Sequence, residues 1–288
     1  MAEQRDRVRS IERALDVLES IGTAGELGVS EVAGRTGLVP STAHRVMATL
    51  AFRGYLSQDV VSGRYRLGAR VLELARSLDL RTAELRGAAH SHLERIREVT
   101  GESANLVVLD GRWVVYIDQV EGSHSVRMFT EIGSTVPAHT TGSGKAILAH
   151  RSADEVERLY SPDDEPFERP TQRTLVTAAA LQEDLARIRG RGYALDREEH
   201  EEGVSCVAAA VFDSTGEPVG AISVSGPTSR IARYDVEQLG ALLHRHAQEI
   251  STTLGWSPDA ASGERTAATA RTGPAAGRPS RAAINATR

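Results

Sequence analysis

Cysteine, lysine and aromatic residues are scarce in this chain, and each scarcity narrows what it can be. The lone Cys206 excludes an intrachain disulfide and a cysteine-based zinc finger. Lys145 is the only lysine, so arginine carries the rest of the positive charge. Aromatics make up 4% of the 288 residues, which makes the cores aliphatic; 40% hydrophobic content suffices for two domains at this length. No apolar run approaches the roughly 18 residues needed to span a bilayer. Met1-Ala-Glu-Gln-Arg-Asp-Arg7 has no signal-peptide core. A cytoplasmic location with no membrane partner is therefore expected. The net charge of −5 excludes an overall basic nucleic-acid binder, so any DNA binding must come from a local face.

Such a face is present over 30–50, Ser-Glu-Val-Ala-Gly-Arg-Thr-Gly-Leu-Val-Pro-Ser-Thr-Ala-His-Arg-Val-Met-Ala-Thr-Leu. It reads as a short helix, a glycine turn and a second helix. Ser30 is expected to cap the first helix, with Glu31 at its positive end. Gly37 suits the turn, and Pro40 the first position of the next helix. Ala43, Val46, Met47 and Leu50 recur at helical spacing and form a buried stripe. Ser41, Thr42, His44, Arg45 and Thr49 then face outward, with groups that bond base edges and phosphates. A plain helical hairpin with a solvated face is the alternative.

The flanks favour a DNA-reading unit. Ile11, Ala14, Leu15, Leu18 and Ile21 keep helical period, which predicts a supporting helix over 10–21. Strands are expected at 55–57 and 64–67 around Ser62-Gly63, with Tyr65 and Leu67 inward and Arg64 and Arg66 outward. A helix-turn-helix followed by a basic hairpin is a winged helix, with Arg64 the expected wing contact; for Arg66 a solvated surface arginine is the equal alternative. The expected DNA-binding set is Ser30, Ser41, Thr42, His44, Arg45, Thr49 and Arg64.

Beyond the wing, helices are expected at 69–78 and 85–99, the first of them a linker. Strands follow at 104–109, 113–117 and 126–129, then helices opening at 141 and covering 153–160 and 178–189, the last ended by Gly190 and Gly192. Two strands over 205–213 and 219–225 precede a final helix over 234–254. This order implies an α+β sheet with helices packed on it. From Ser257 the composition collapses to Ala, Gly, Pro, Thr, Ser and Arg, which predicts a disordered tail. Its Arg265, Arg271, Arg278, Arg281 and Arg288 either attract DNA loosely or do nothing.

Two stretches invite a chemical reading. Gly142-Ser-Gly-Lys145 is not a P-loop, because His139 and Ala146 stand where glycine and Ser/Thr are required. Its small residues suit either a tightly packed helix start or backbone N–H groups aimed at an anion. Asp196-Arg-Glu-Glu-His-Glu-Glu-Gly-Val-Ser-Cys206 leaves three readings open. They are a Cys206 nucleophile with His200 as base, a metal held by Asp196, His200, His139 and Cys206, and a ligand-lined pocket. The apolar run after Cys206 argues against a reactive thiol.

Several motifs, in order, resemble the IclR family of bacterial transcriptional regulators. They are Arg9-Ser-Ile-Glu-Arg-Ala-Leu-Asp-Val-Leu-Glu19, the helix-turn-helix core, Arg64-Tyr-Arg-Leu-Gly68, Pro137-Ala-His-Thr-Thr-Gly-Ser-Gly-Lys-Ala146, Gly192-Tyr-Ala-Leu-Asp196 with Glu202-Gly-Val-Ser-Cys-Val-Ala-Ala209, and Gly220-Ala-Ile-Ser-Val-Ser-Gly226. The resemblance covers about 9–255. It implies an α+β multidomain protein: a winged helix-turn-helix at 9–68, a linker helix at 69–85, a GAF-like effector-binding domain at 86–255 and a disordered tail at 256–288. It also implies homodimers, often paired into tetramers, on palindromic double-stranded DNA operators near metabolic genes, most often as repressors. A small carboxylate effector would meet backbone donors at Gly142 and Ser143, with Asp196, Val204, Cys206, Ser223 and Ser225 around it and Met128 as apolar wall. No catalytic residue, cofactor or resident metal is expected. A rival reading is a signalling scaffold that uses the winged unit for protein contacts.

Overall fold

The computed structural model describes residues 8–257, and for 77–81 the backbone alone. The chain divides into two compact units, Met1–Ala83 and Glu84–Arg288. The expected tail, with its five arginines, lies outside the described residues except for Trp256 and Ser257. Trp256 stacks on Phe212 at 5.7 Å, so ordered packing extends one residue past the expected domain end at 255.

In the N-terminal unit, α1 (Arg9–Ala24), β1 (Glu26–Leu27), α2 (Val29–Thr36) and α3 (Pro40–Phe52) precede the hairpin β2 (Leu56–Gln58) and β3 (Tyr65–Leu67). The three-stranded sheet has the order β1-β3-β2 and is antiparallel. Val17, Ile21, Val32, Ala43, Met47, Leu56 and Tyr65 form the core. Gly37 ends α2 in the left-handed region at φ 67, and Pro40 opens α3.

Three expectations for this unit need correction. The buried stripe of α1 is Val17 and Ile21 with Leu18 beside them, while Ile11 and Leu15 are 57% and 50% exposed. Two apolar faces overlap in this helix, and α2 and α3 cover the one through Val17. Ser30 is no cap: α2 begins one residue earlier, Gly28 is its N-cap, and the Glu31 carboxylate accepts the Gly28 N–H at 2.7 Å. Leu67 is 40% exposed rather than inward. The strand β1 carries no signal in two residues, and it exists because it pairs with β3.

The helix α4 (Ala69–Thr100) replaces the two helices expected at 69–78 and 85–99. The intervening Asp79-Leu-Arg-Thr-Ala-Glu84 contains neither proline nor glycine, so nothing terminates the helix. The boundary between the two units falls within it.

The C-terminal unit adds β4 (Ser103–Asp110), β5 (Trp113–Val120), β6 (Thr135–Pro137), α5 (Gly142–Leu148), α6 (Ala153–Leu159), α7 (Ala178–Arg191), β7 (Ala194–Arg197), β8 (Val204–Phe212), β9 (Pro218–Pro227), α8 (Thr228–Ile231) and α9 (Val236–Thr253). Its six-stranded sheet runs β6-β5-β4-β9-β8-β7. Alternation sorts the strands onto two cores. Cys206, Ala208 and Ala210 of β8 face α5 and α7, while Val207, Ala209 and Val211 face α4 and α9. Alanine on both faces lets helices approach closely from either side.

The strand expected at 126–129 is absent. Val126 and Phe129 are 71% and 63% exposed, with no core to alternate against, and β6 pairs with β5 instead. Gly190 lies inside α7, which ends at Gly192 with φ 81. At Gly144 a Cβ would stand 2.1 Å from the Ala138 carbonyl oxygen, so only glycine fits that position. No helix among the described residues is long and apolar enough to cross a membrane.

Candidate functional site

Two sets of side chains stand apart from the cores, one in each unit. In the N-terminal unit, α3 buries Ala43 and Met47 and half-buries Val46 and Leu50. That leaves Ser41, His44, Arg45 and Thr49 exposed and Thr42 half-buried. The Thr49 hydroxyl donates back to the Arg45 carbonyl at 2.8 Å. Thr42, Arg45 and Thr49 line a cleft of about 390 Å³ whose opposite wall is Ser10, Arg13 and Ala14 of α1. Sequence reasoning missed Ser10 and Arg13, since it scanned α1 for its apolar stripe alone.

Arg64 does not project freely from the hairpin. Its guanidinium lies 3.0 Å from Glu26 and 2.8 Å from Glu31 and also donates to the Glu26 carbonyl. The Gly28 N–H and then Arg64 hold the Glu31 carboxyl below its usual value. Arg64 thus ties the hairpin to β1 and α2. Arg66 is exposed, and the hairpin tip presents Val60 and Val61, 97% and 93% exposed.

In the C-terminal unit, register assembles what the sequence scatters. Asp196 of β7 pairs with Cys206 of β8, Cys206 with Ser225 of β9, and Ser225 with Ser103 of β4. The next row holds Ala208, Ser223 and Asn105, then Gln119 of β5. Directly paired residues share a face, so these groups form a polar patch on the side covered by α5. Asn105, Asp196 and Ser223 are buried. The side-chain amides of Gln119 and Asn105 meet at 2.7 Å, and Asn105 reaches Ser225 at 3.4 Å.

The start of α5 presses on this patch. A Cβ at Gly142 would lie 3.3 Å from the Cys206 Sγ and 3.4 Å from the Asp196 nitrogen. Thr141 caps the helix by accepting from the Gly144 N–H at 3.0 Å, and Ser143 is buried beside it. Val204 is half-buried at the head of β8. Met128 is half-buried in the loop before β6, and its carbonyl accepts from the Ser103 hydroxyl at 2.5 Å, at the end of the first row.

Burial dominates the electrostatics. It lifts the Asp196 carboxyl to about 7, against the Glu199 N–H donated at 2.7 Å, while the Glu199 charge pushes the same way as burial. It lifts the Cys206 thiol to about 12, aided by Asp196, so the thiol is neutral and no nucleophile. The Tyr116 phenol of β5 is raised too, first by burial and then by its electrostatic coupling to the nearby Cys206 and Asp196. Tyr116 is therefore a member of the site that sequence reasoning missed. Its only signal was strand alternation with Val114.

Lys145 was missed as well. It is fully buried, with Nζ 2.7 and 2.5 Å from the Glu199 carboxylate and 3.0 Å from Asp184 of α7. The Lys145 charge and hydrogen bond lower the Asp184 pKa against burial. Thr171 and Thr174 donate to the Glu198 and Glu199 carbonyls at 2.6 Å, which fixes the turn after Asp196. Asp196 itself lies in β7, not in the charged loop its neighbours suggested.

The metal reading of Asp196, His200, His139 and Cys206 is not assembled. His139 pairs with the Glu168 carbonyl at 2.9 Å and His200 with the Thr140 hydroxyl at 3.1 Å, and no metal-type cluster among the described residues includes any of the four. What remains is a buried patch offering hydroxyls, amides, a protonatable carboxyl and a thiol, which can bind a small polar molecule.

Comparison with known proteins accounts for both units. Residues 10–60 match the IclR helix-turn-helix domain, and residues 78–252 match the domain described as bacterial transcriptional regulator IclR C-terminal. The chain is 39% identical over 264 residues to the HTH-type transcriptional regulator BhcR of Paracoccus denitrificans, across 92% of this chain and 93% of that one. It is 37% identical over 252 residues to the transcriptional repressor IclR of Escherichia coli, across 86% and 91%. Among solved structures it is similar to an IclR homologue from Microbacterium hydrocarbonoxydans complexed with 4-hydroxybenzoate. That match has 28% identity and a TM-score of 0.69, and covers 85% of this chain and 98% of the other. With a helix-turn-helix unit and a C-terminal regulatory unit both matched, this chain belongs to the IclR family of bacterial transcriptional regulators.

Proposed function

We propose that the chain acts as a homodimer, or a pair of dimers, on a palindromic operator and releases or rearranges on it when a small carboxylate binds the C-terminal unit. Repression is the preferred mode, as the name of the Escherichia coli relative states for that protein. The reading helix is α3. Exposed Ser41, His44, Arg45 and Thr49, with Thr42 beside them, offer hydroxyls, an imidazole and a guanidinium to base edges and phosphates. Exposed Ser30 in the first turn of α2 suits a phosphate contact. Arg64 contributes less than a free wing arginine, since two carboxylates already share its charge.

The observation that carries the effector reading is the pairing Asp196–Cys206–Ser225 with Gly142 set against it. Ser223 and Ser225 hydroxyls, together with the Gly142 and Ser143 N–H groups that precede any intrahelical acceptor, suit an acid's oxygens. A carboxyl lifted to about 7 both donates and accepts, so Asp196 serves a second carboxyl or a hydroxyl. Val204, Cys206 and Met128 bound the size of the guest. The 4-hydroxybenzoate complex of the structural relative supports an organic acid as the chemical class. Half-sites on DNA have a fixed spacing, so a ligand that favours one dimer geometry weakens both contacts together.

Fluorescence anisotropy on the DNA upstream of the chain's own gene tests the reading helix. Specific binding that weakens steeply with salt is expected, and Arg45→Ala should lower affinity about tenfold or more without loss of folding. An unchanged affinity and sequence preference would remove α3 from the role.

A further inference from the structure

The opposite face of the C-terminal sheet carries a second cluster, which the regulatory reading does not use. Ala89, Leu93 and Ile96 of α4 and Leu243, Ala247 and Ile250 of α9 pack on that face. Where the two helices meet, His92 and His246 converge Nδ1 to Nδ1 at 2.9 Å, their rings edge-on at 78°. Glu249, one turn beyond His246, brings a carboxylate oxygen to 3.5 Å from His92 Nδ1 and 3.8 Å from His246 Nδ1. Among the described residues this is the group of three ligand-type side chains whose donor atoms all lie within 4.8 Å of one another.

The spacing has a chemical meaning. A tetrahedral ion with ligands at about 2.0–2.2 Å sets neighbouring ligand atoms about 3.3–3.6 Å apart. The edges of 2.9, 3.5 and 3.8 Å bracket that value. Both imidazoles turn the same nitrogen to one point, so at most one N–H···N bond can form there, and a cation in its place would use both lone pairs. The two imidazole side chains are 12% and 9% exposed, while Glu249 is 49% exposed and leaves a path for an ion and its waters. Burial lowers both imidazole pKa values, which favours the neutral form that a metal ligand requires. Arg95 and Arg245 face the pair and oppose a cation, and the Glu249 charge offsets part of that. Two nitrogens and a carboxylate select borderline transition ions over magnesium or calcium, which require oxygen ligands.

We propose that His92, His246 and Glu249 bind one divalent transition-metal ion of the zinc, cobalt or nickel class, with water completing its shell. The ion pins the C-terminal turns of α4 to α9. Sequence alone does not pair His92 with His246, which stand 154 positions apart.

The test uses full-length, tag-free protein dialysed against chelator and then titrated with zinc or cobalt chloride. The expected result is one ion per chain by calorimetry, a rise in Tm with zinc, and cobalt d–d bands with no thiolate charge-transfer band. Altered second-shell groups alone cost about 10–100-fold in metal affinity, so His92→Gln and His246→Gln should each weaken binding at least about tenfold. Glu249→Gln, at an exposed position that does not threaten folding, should weaken it in the same direction. No binding by the parent protein overturns the proposal. So does binding that all three variants retain, or a thiolate band that assigns the metal to Cys206.

Discussion

Ser41, His44, Arg45 and Thr49 stand exposed on one helix, whereas Asp196, Cys206 and Ser223 lie buried on three separate strands. The first group needs only the period of α3 to share a face, and solvent pays for its polarity. The second needs the register of β7, β8 and β9, and each polar group must find a partner inside the protein. The contrast teaches where function and stability separate. On α3 a side chain can be removed with little structural cost. In the C-terminal unit the groups proposed to meet the effector also hold the fold.

Lys145→Met should sharpen that contrast most. It leaves Glu199 and Asp184, 11% and 14% exposed, without their shared cation. Loss of one partner of such a buried network costs about 3–5 kcal/mol. Urea unfolding followed by a probe of the C-terminal unit checks it, and a loss below about 1 kcal/mol would mean that the network is not structural.

Asp196→Asn tests the same idea through pH. The folded carboxyl holds its proton to about 7, whereas an unfolded aspartate releases it near pH 4. Its contribution to stability is therefore fully present below about pH 4 and is lost as pH rises through about 7. The buried imidazoles His139 and His200, lowered by burial, act in the opposite sense. Comparison with the parent cancels them. The Tm difference in favour of Asp196→Asn should widen from pH 5 to pH 8, and a constant difference would contradict the buried carboxyl.

Ser30→Ala should have the smallest effect. Gly28 and Glu31 already close the start of α2, so the loss should stay within about 0.5 kcal/mol. Thermal unfolding showing a loss near the ~1 kcal/mol of a true cap would restore Ser30 to that role.

The same contrast explains what was legible in the sequence. Gly37, Pro40 and the stripe through Ala43 and Met47 act within a few residues, so the helix-turn-helix could be read directly. Errors arose where a competing local choice or a distant partner decided the outcome. Glu31 displaced Ser30 at the cap, and Val17 displaced Leu15 in the core. β1 exists only through β3. In the C-terminal unit the family motifs named Gly142, Asp196, Cys206, Ser223 and Ser225; the sheet brings the last four onto one face, and the start of α5 sets Gly142 against it. Tyr116 and Lys145 joined them only through long-range packing, which periodicity does not report.

The central claim is that the buried patch governs the exposed helix. Its most direct test measures operator affinity by anisotropy with and without a small organic acid selected by thermal shift, for the parent and for Ser223→Ala combined with Ser225→Ala. The account predicts that the acid shifts the parent's affinity and that the double variant binds DNA equally well but no longer responds. A variant that still responds fully, or a parent that no thermally stabilising acid affects, would contradict it.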